Sequence, residues 1–400
     1  MRIALLNQFF WPDASATSQI LSDAARFLAE EHKVTVICSD NGVTNPDGTL
    51  AFESRVSAIR MRSVAFSHQT LQRLSSYLSY LAGSLFCGLK CECPEVYVTL
   101  TTPPVLPIIG SLLSTLRQTN HVIWEMDIYP DIATDIRYLK PAGLFDRLSG
   151  SILDWSRRRA HAIIVLGQDM KERLEARGIP TSRIHIVENW ADGNEIRPLP
   201  FPDGPLVTHY SGNLGLAHDT NTIQEVIKRL ANHPDFQFVF AGGGPRRSAL
   251  AQFCRSRGIS NVDFRSYCER SELGNSLAEG HLGLVTQLPR TLGSVVPSKI
   301  YGIMAAGRPL LFIGPGESTP ARHIRNFQCG WHIQPGDVDG LESLLFLLNG
   351  NRRLLHEAGA RARQTFESEF DSPIGLSAIK NVIEGTTIQP KLSTRHNARI

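Results

Sequence analysis

No charge of one sign dominates this sequence. Its 400 residues hold 41 Lys and Arg against 38 Asp and Glu, a formal net charge of +3. Such a balance leaves no electrostatic footprint for bulk nucleic-acid binding, so no nucleic-acid partner is expected. A cysteine framework is missing too. Seven cysteines, an odd number without regular spacing, fit a reducing cytosol better than a disulfide scaffold. Long apolar runs are also scarce. Residues 74–89 carry no charge but fall short of the ~20 residues of a spanning helix, and Pro103, Pro104 and Pro107 break 96–116. The apolar start MRIALLNQFF is followed by no small-residue cleavage site, so no signal peptide is expected. With 42% hydrophobic and 20% charged residues, the chain has ample material for buried cores and is not disordered.

What is present is a repeated α/β pattern. Apolar runs RIALL, KVTVIC, EVYVTL, HVIWE, AIIVL and RIHIV read as buried parallel strands with helical patterns between them. In 71–89, Leu71, Leu74, Leu78, Leu81, Leu85 and Leu89 recur at helical steps. Leu74, Leu78, Leu81 and Leu85 read either as a core face or as an apolar stripe for contact with a membrane surface, with Tyr77, Tyr80 and Phe86 left for an exposed contact. The Pro- and Gly-rich stretch DGNEIRPLPFPDGP then breaks the pattern as an interdomain linker. Strands restart at LVTHYS and FQFVFA, and residues 338–370 read as helical. The expected organisation is 1–195, 196–371 and a C-terminal segment 372–400 that frays at its end. The expected fold class is α/β, with two doubly wound parallel sheets facing across a cleft.

Several loops carry candidate chemistry. Gly212 and Asn213 follow one strand and precede a helix, and Gly243 and Gly244 repeat that arrangement one strand later. Glycines there let an anion approach backbone N–H groups at a helix start; an ordinary turn is the plain alternative. Pro297 and Ser298 start a helix with Lys299 in its first turn. A cation at that end opposes the helix dipole unless an anion joins it. Asp127 and Asp131 lie just past a first-half strand, where an acidic loop suits hydroxyl recognition or base work, although Asp and Pro also form turns. Asp337-Val-Asp339 has the spacing of a metal motif, but it precedes an apolar helix and reads as an N-cap, so no metal is expected. Cys87, Cys91 and Cys93 fall short of a four-ligand zinc site. The run Arg157–Arg159 reads as a solvated face or a contact with anionic lipid.

Taken together, FFWPDASATSQ, TTPPVLP, DIYPD, YSGNLGLAHDT, FAGGGPRR and VVPSKIYGIMAAGRPLLFIG resemble the retaining GT-B glycosyltransferases of family 4, especially those that build bacterial lipopolysaccharide, capsule or exopolysaccharide. The resemblance covers roughly residues 1–370. It implies two Rossmann-like domains and hexosyl transfer with retention from a nucleoside-diphosphate sugar, without a metal or other cofactor. The acceptor it implies is a glycan or lipid-linked hydroxyl, met in the cytoplasm or peripherally at an anionic membrane face. Carried over, Gly212 and Asn213 lie by the donor phosphates and Lys299 neutralises the leaving group, with Asp127 as the other catalytic candidate. Gly243, Gly244, Arg265, Tyr267, Pro297, Ser298 and Tyr301 border the donor. Asp13, Ala16, Thr17 and Asp131 belong to the acceptor side. Two departures stand out. The family's paired glutamates are Ser294 and Gly302 here, and in place of its second phosphate cation the first basic side chain after Asn213 is His218 or, counting only Lys and Arg, Lys228, leaving Arg246, Arg247 or Arg290 to supply charge. A nucleotide-sugar epimerase of the same architecture, or a non-catalytic donor-binding subunit, is the alternative.

Overall fold

The computed structural model of the protein describes residues 1–13, 15–40, 56–64 and 70–386. The tail read as fraying, 387–400, lies outside the described residues.

The first unit is a seven-stranded sheet of β1 (Arg2–Leu6), β2 (Lys33–Ser39), β3 (Val56–Met61), β4 (Val96–Thr99), β5 (Asn120–Trp124), β6 (Ala162–Val165) and β7 (Ile184–Ile186). Its spatial order is β3-β2-β1-β4-β5-β6-β7, with every pairing parallel. Helices α1 (Ala16–Ala29), α2 (Thr70–Lys90), α3 (Leu106–Arg117), α4 (Asp131–Asp135), α5 (Leu144–Arg159) and α6 (Gln168–Ala176) connect the strands. The strand period of two divides the core. Ile3 and Leu5 of β1 face α1, whereas Ala4 and Leu6 pack with Tyr80 of α2 and Leu113 of α3.

The second unit has β8 (Leu206–Asn213), β9 (Phe236–Gly243), β10 (Val262–Arg265), β11 (Leu282–Thr286), β12 (Leu310–Ile313) and β13 (Gly330–Ile333) in the order β10-β9-β8-β11-β12-β13, again all parallel. Its helices are α7 (Asn221–Arg229), α8 (Pro245–Ser256), α9 (Leu273–Ala278), α10 (Lys299–Ala305), α11 (Thr319–Phe327), α12 (Val338–Gly350) and α13 (Arg353–Thr365). The last helix, α14 (Ser372–Gly385), returns to the first unit, where Ile379 and Ile383 enter the core beside α1 and β6. Strand order reverses between β1 and β4 and between β8 and β11. Open sheets bind ligands outside the carboxyl ends of their strands at such points.

Three sequence expectations are corrected. β3 escapes the strand pattern because it is a half-exposed edge strand. The face of α2 is only in part the expected one: Leu81 and Leu85 pack against the core and Phe86 is exposed as expected, but the first half of the helix is turned. Tyr80 is fully buried and donates its hydroxyl to Ile37 O at 2.8 Å, while Leu71, Leu74 and Leu78 are exposed together with Phe86. The helix sits close to the sheet through small residues. A Cβ on Gly83 would stand 2.5 Å from Met61 Sδ, and one on Gly88 would stand 2.5 Å from Leu113 Cδ1. Leu71, Leu74 and Leu78 turn outward, while Leu81 and Leu85 stay against the core. Finally, Arg157 is not a surface cation. It is 1% exposed and binds Glu125 at 2.7 Å and Asp154 at 3.0 Å. Among the described residues no helix is long and apolar enough to cross a membrane.

Candidate functional site

Three glycines bring the rims of β8 and β9 together. Gly212, Gly242 and Gly244 have φ of 117°, 121° and 108°, which L side chains rarely adopt. A Cβ on Gly242 would lie 2.2 Å from Gly212 O, and one on Gly244 would lie 2.5 Å from Asn213 Oδ1. A Cβ on Gly212 would come within 2.9 Å of Lys299 Cε. The loop after β8, the loop before α8 and the first residue of α10 therefore meet at one place. Behind Gly244, α8 opens with Pro245 at its first position. Pro245 has no N–H and Arg246 N donates to Leu214 O at 3.2 Å, so it is the positive end of the helix dipole that favours negative charge there.

The nearest acid to the cations at this place is Asp219, whose charge acts on Arg246 without forming an ion pair with it. Lys299 is partly buried, with its ammonium 5.3 Å from the centre of the Tyr210 ring. Desolvation lowers its pKa to about 8. Arg246 reaches Leu216 O at 3.3 Å and Thr220 Oγ1 at 3.4 Å, and its pKa is lowered by burial and then by Arg290. Arg290 donates to Asp135 O, a backbone carbonyl of the first unit. Among the described residues none of Lys299, Arg246 and Arg290 forms an ion pair. Beside them, His218 Nδ1 meets Thr286 O at 2.8 Å. Its pKa falls to about 3, through burial first and then the charge of Lys299. The ring is thus neutral at physiological pH and donates to that carbonyl. A pocket of unpaired cations, glycine loops and a helix start is built for an anion with several oxygens.

Asp127 lies on the opposing rim. It follows β5, and its backbone forms an antiparallel bridge with Val295. Ile128 N also donates to Ser294 O at 2.9 Å. The acidic loop is thereby held against the segment leading into Lys299. Burial, and then the charge of Glu125, pushes the Asp127 carboxyl up to about 6. Arg157 is committed to Glu125 and Asp154 and leaves Asp127 without a cation. Asp131 behaves differently. It is tied to Arg173 and Arg177, each at 3.1 Å, in a network that includes Asp135 and Asp154. Arg173 also donates to Leu292 O at 2.7 Å, so this network braces the two units.

The remaining candidates divide. Asp13, Ala16 and Thr17 lie at the carboxyl rim of β1, where the Asp13 carboxylate accepts Ser15 N at 2.8 Å just before α1 begins. Tyr267 is exposed beside Gly243, while Arg265 is held by Asp263 at 2.6 Å and by Glu279. Pro297 and Ser298 immediately precede Lys299 as expected. Tyr301 is turned away from the pocket. It is fully buried, with its hydroxyl donating to Glu188 at 2.8 Å, and His323 holds the same carboxylate oxygen at 2.7 Å. Of the three arginines left open as a second phosphate cation, Arg246 and Arg290 flank the pocket. Arg247 instead serves the backbone, donating to Arg265 O at 2.8 Å. Asp337 caps α12 by accepting Gly340 N at 2.9 Å. His218, the first basic side chain after Asn213, is held neutral and so does not supply the second phosphate cation.

Residues 16–190 match the family model described as a glycosyl transferase 4-like domain, and residues 192–365 match glycosyl transferases group 1. The probable glycosyltransferase WbjE of Pseudomonas aeruginosa is 23% identical over 261 residues, 63% of this chain and 65% of that protein. The putative colanic acid biosynthesis glycosyl transferase WcaI of Escherichia coli K12 is 26% identical over 157 residues, 36% of this chain and 38% of that one. The chain thus spans less than two thirds of either relative. The solved structure of HepE from Anabaena, in complex with UDP, superposes with a TM-score of 0.73 at 13% identity. It covers 96% of this chain and 100% of HepE, and it establishes the shared GT-B architecture.

Proposed function

We propose, from the premise that the chain belongs to the family 4 type of glycosyltransferases in polysaccharide biosynthesis, that it moves a hexosyl group from a nucleoside-diphosphate sugar to a hydroxyl acceptor. The observation that carries this reading is the unpaired Lys299 ammonium packed on Gly212, with Arg246 and Arg290 nearby and no ion pair among the three. As the bond from the anomeric carbon to the diphosphate breaks, negative charge grows on the leaving group. Lys299, the loop amides and the start of α8 meet that charge, and preorganised groups of this kind are often the largest contribution to rate. The UDP held by HepE makes uridine diphosphate the first leaving group to test. Arg246 and Arg290 take the place of the missing loop cation.

Asp127 on the facing rim receives the acceptor hydroxyl, with Asp13, Ala16 and Thr17 along the same edge. Retention at the anomeric carbon follows the family resemblance. The acceptor class is a glycan or a lipid-linked glycan, met in the cytoplasm or at the inner face of the membrane. Turnover without a divalent metal follows the family resemblance, and the Asp337 carboxylate serves as a helix cap.

The test is release of nucleoside diphosphate from a panel of sugar nucleotides, with and without acceptor. Release that depends on acceptor and persists in excess chelator supports the reading. Conversion of the sugar nucleotide without acceptor marks an epimerase instead, and binding without either reaction marks a donor-binding subunit.

A further inference from the structure

Helix α10 leaves one strip of itself open. Of its seven residues, Lys299 and Gly302 alone are not buried. They stand three residues apart and so share one face of the helix. The Lys299 end of the strip lies against Gly212, where the cations gather. The Gly302 end is bare. A Cβ there would meet Leu277 Cδ1 of α9 at 3.6 Å and Ile196 Cδ1 of the linker at 3.8 Å, both apolar and both at ordinary contact distance.

Contacts between the units give the strip a direction. Upstream of Lys299, Val295 bridges Asp127, and Ser294 O accepts Ile128 N at 2.9 Å. That side opens on the acceptor rim, so the hexosyl group of a donor held at Lys299 points there. The nucleoside leaves the diphosphate on the other side, toward Gly302 and the carboxyl ends of β9 and β10. Ser211, Ala241 and Arg265 stand in register across β8, β9 and β10 and form a floor at this place. The Tyr267 ring, 62% exposed beside Gly243, forms a wall. A free aromatic face suits the stacking of a base. The pentose then lies between that ring and the strip, over Gly302.

Ribose and 2′-deoxyribose differ by one hydroxyl. A site favours ribose strongly only where a polar group is built to bond that hydroxyl. The side chains around Gly302 do not supply one. Helix α10 contains no Asp or Glu. Tyr301, beside Gly302, gives its hydroxyl to Glu188 at 2.8 Å. Glu279 is held by Arg265, Glu195 by Arg270 at 2.9 Å and Glu272 by Asn275 at 2.8 Å, while Glu269 is exposed in the loop before α9. A 2′-hydroxyl set over Gly302, Leu277 and Ile196 exchanges water for apolar carbon, which is unfavourable.

We propose that the donor site does not read the ribose 2′-hydroxyl and takes 2′-deoxyribonucleoside diphosphate sugars, thymidine diphosphate sugars among them. This rests on the proposed transfer reaction for the seat of the diphosphate at Lys299. It is tested by calorimetric titration of the full chain with UDP and dUDP, and with the adenine, guanine and cytosine pairs. Wild type should bind the deoxy member of its preferred pair as tightly as the ribo member, or up to about tenfold tighter. Gly302→Glu puts a carboxylate on the strip, in a helical backbone and with room for its Cβ. It should reverse the order, the ribo member binding about tenfold tighter. Gly302→Ala adds bulk without the carboxylate and should keep the wild-type order. Both variants should melt no lower than wild type, since Glu and Ala are better helix formers than Gly. A wild-type preference for the ribo member of more than about fivefold overturns the proposal. So does a folded Gly302→Glu protein with the wild-type order. Binding of no nucleoside diphosphate removes the donor site and this proposal with it. Binding in the expected order without transfer to any acceptor supports the proposal and removes the proposed reaction instead.

Discussion

The two units share a plan and differ in what they do with charge. Both are parallel sheets whose strand order reverses in the middle. The first unit holds its cations in pairs: buried Arg157 with Glu125 and Asp154, and half-buried Arg173 and Arg177 with Asp131. The second leaves Lys299, Arg246 and Arg290 at its rim without an ion pair. Paired charges brace a structure, whereas charges held unpaired in a partly dry place wait for a ligand. The chemistry of a unit thus lies in its loops rather than in its sheet.

Arg157 and Lys299 put this contrast to the test. Arg157→Ala strands the Glu125 carboxylate in the first core, while Asp154 keeps Arg177. It is expected to cost about 3–5 kcal/mol of stability, the scale for breaking a buried pair. Chemical denaturation of the variant measures this, and a loss below ~1 kcal/mol would remove the bracing role. Lys299→Ala is expected to do the opposite. Turnover should fall about 10²–10³-fold, as on removing one group that stabilises a developing anion. Stability should not fall, because burial disfavours the charged lysine and the variant has none. Near-parental turnover in a folded protein would end the phosphate role of Lys299.

The pH profile sharpens the comparison with a smaller effect. Burial raises Asp127 to about 6 and lowers Lys299 to about 8. The free enzyme therefore holds both the carboxylate and the ammonium between those values. With Asp127 as the base, kcat/KM should rise about tenfold per unit up to pH 6 and fall about tenfold per unit above pH 8. Asp127→Asn should abolish the acid limb. The stability signs follow from proton binding. Folded Asp127 keeps its proton longer than the unfolded chain does, so its contribution falls as pH climbs from about 4 to 6. Folded Lys299 gives up its proton earlier, so its penalty is relieved as pH climbs from about 8 toward 10.5. The smallest effect belongs to Asp337→Asn. Asn caps about as well as Asp, so turnover, with or without chelator, should stay within twofold of the parent. A large loss rescued by divalent metal would contradict the capping role.

Much of this was legible before any tertiary contact was known. The strands are short apolar runs, and the glycine loops follow them at Gly212 and Gly242–Gly244, because backbone freedom and hydrophobic period are local properties. The Asp337 cap could be read for the same reason, from an acid directly before an apolar helix. β3 was not legible, since an edge strand half open to solvent has no apolar signature. The face of α2 was not legible either. Its apolar residues run almost all round, and small residues such as Gly83 and Gly88 decide which side approaches the sheet.

The sequence by itself determined two α/β units and a lysine at a helix start beside glycine loops. Those features depend on neighbours a few residues away, through steric freedom, periodicity and the helix dipole. Tertiary structure alone decided which charges would be paired. Nothing in the run Arg157–Arg159 says that the first arginine is buried and the other two are exposed. Nothing near Asp127 says that its backbone bridges Val295 while the neighbouring Asp131 is claimed by two arginines. A charge takes its meaning from what lies within a few ångströms, and in this chain those partners come from distant strands and from the opposite unit.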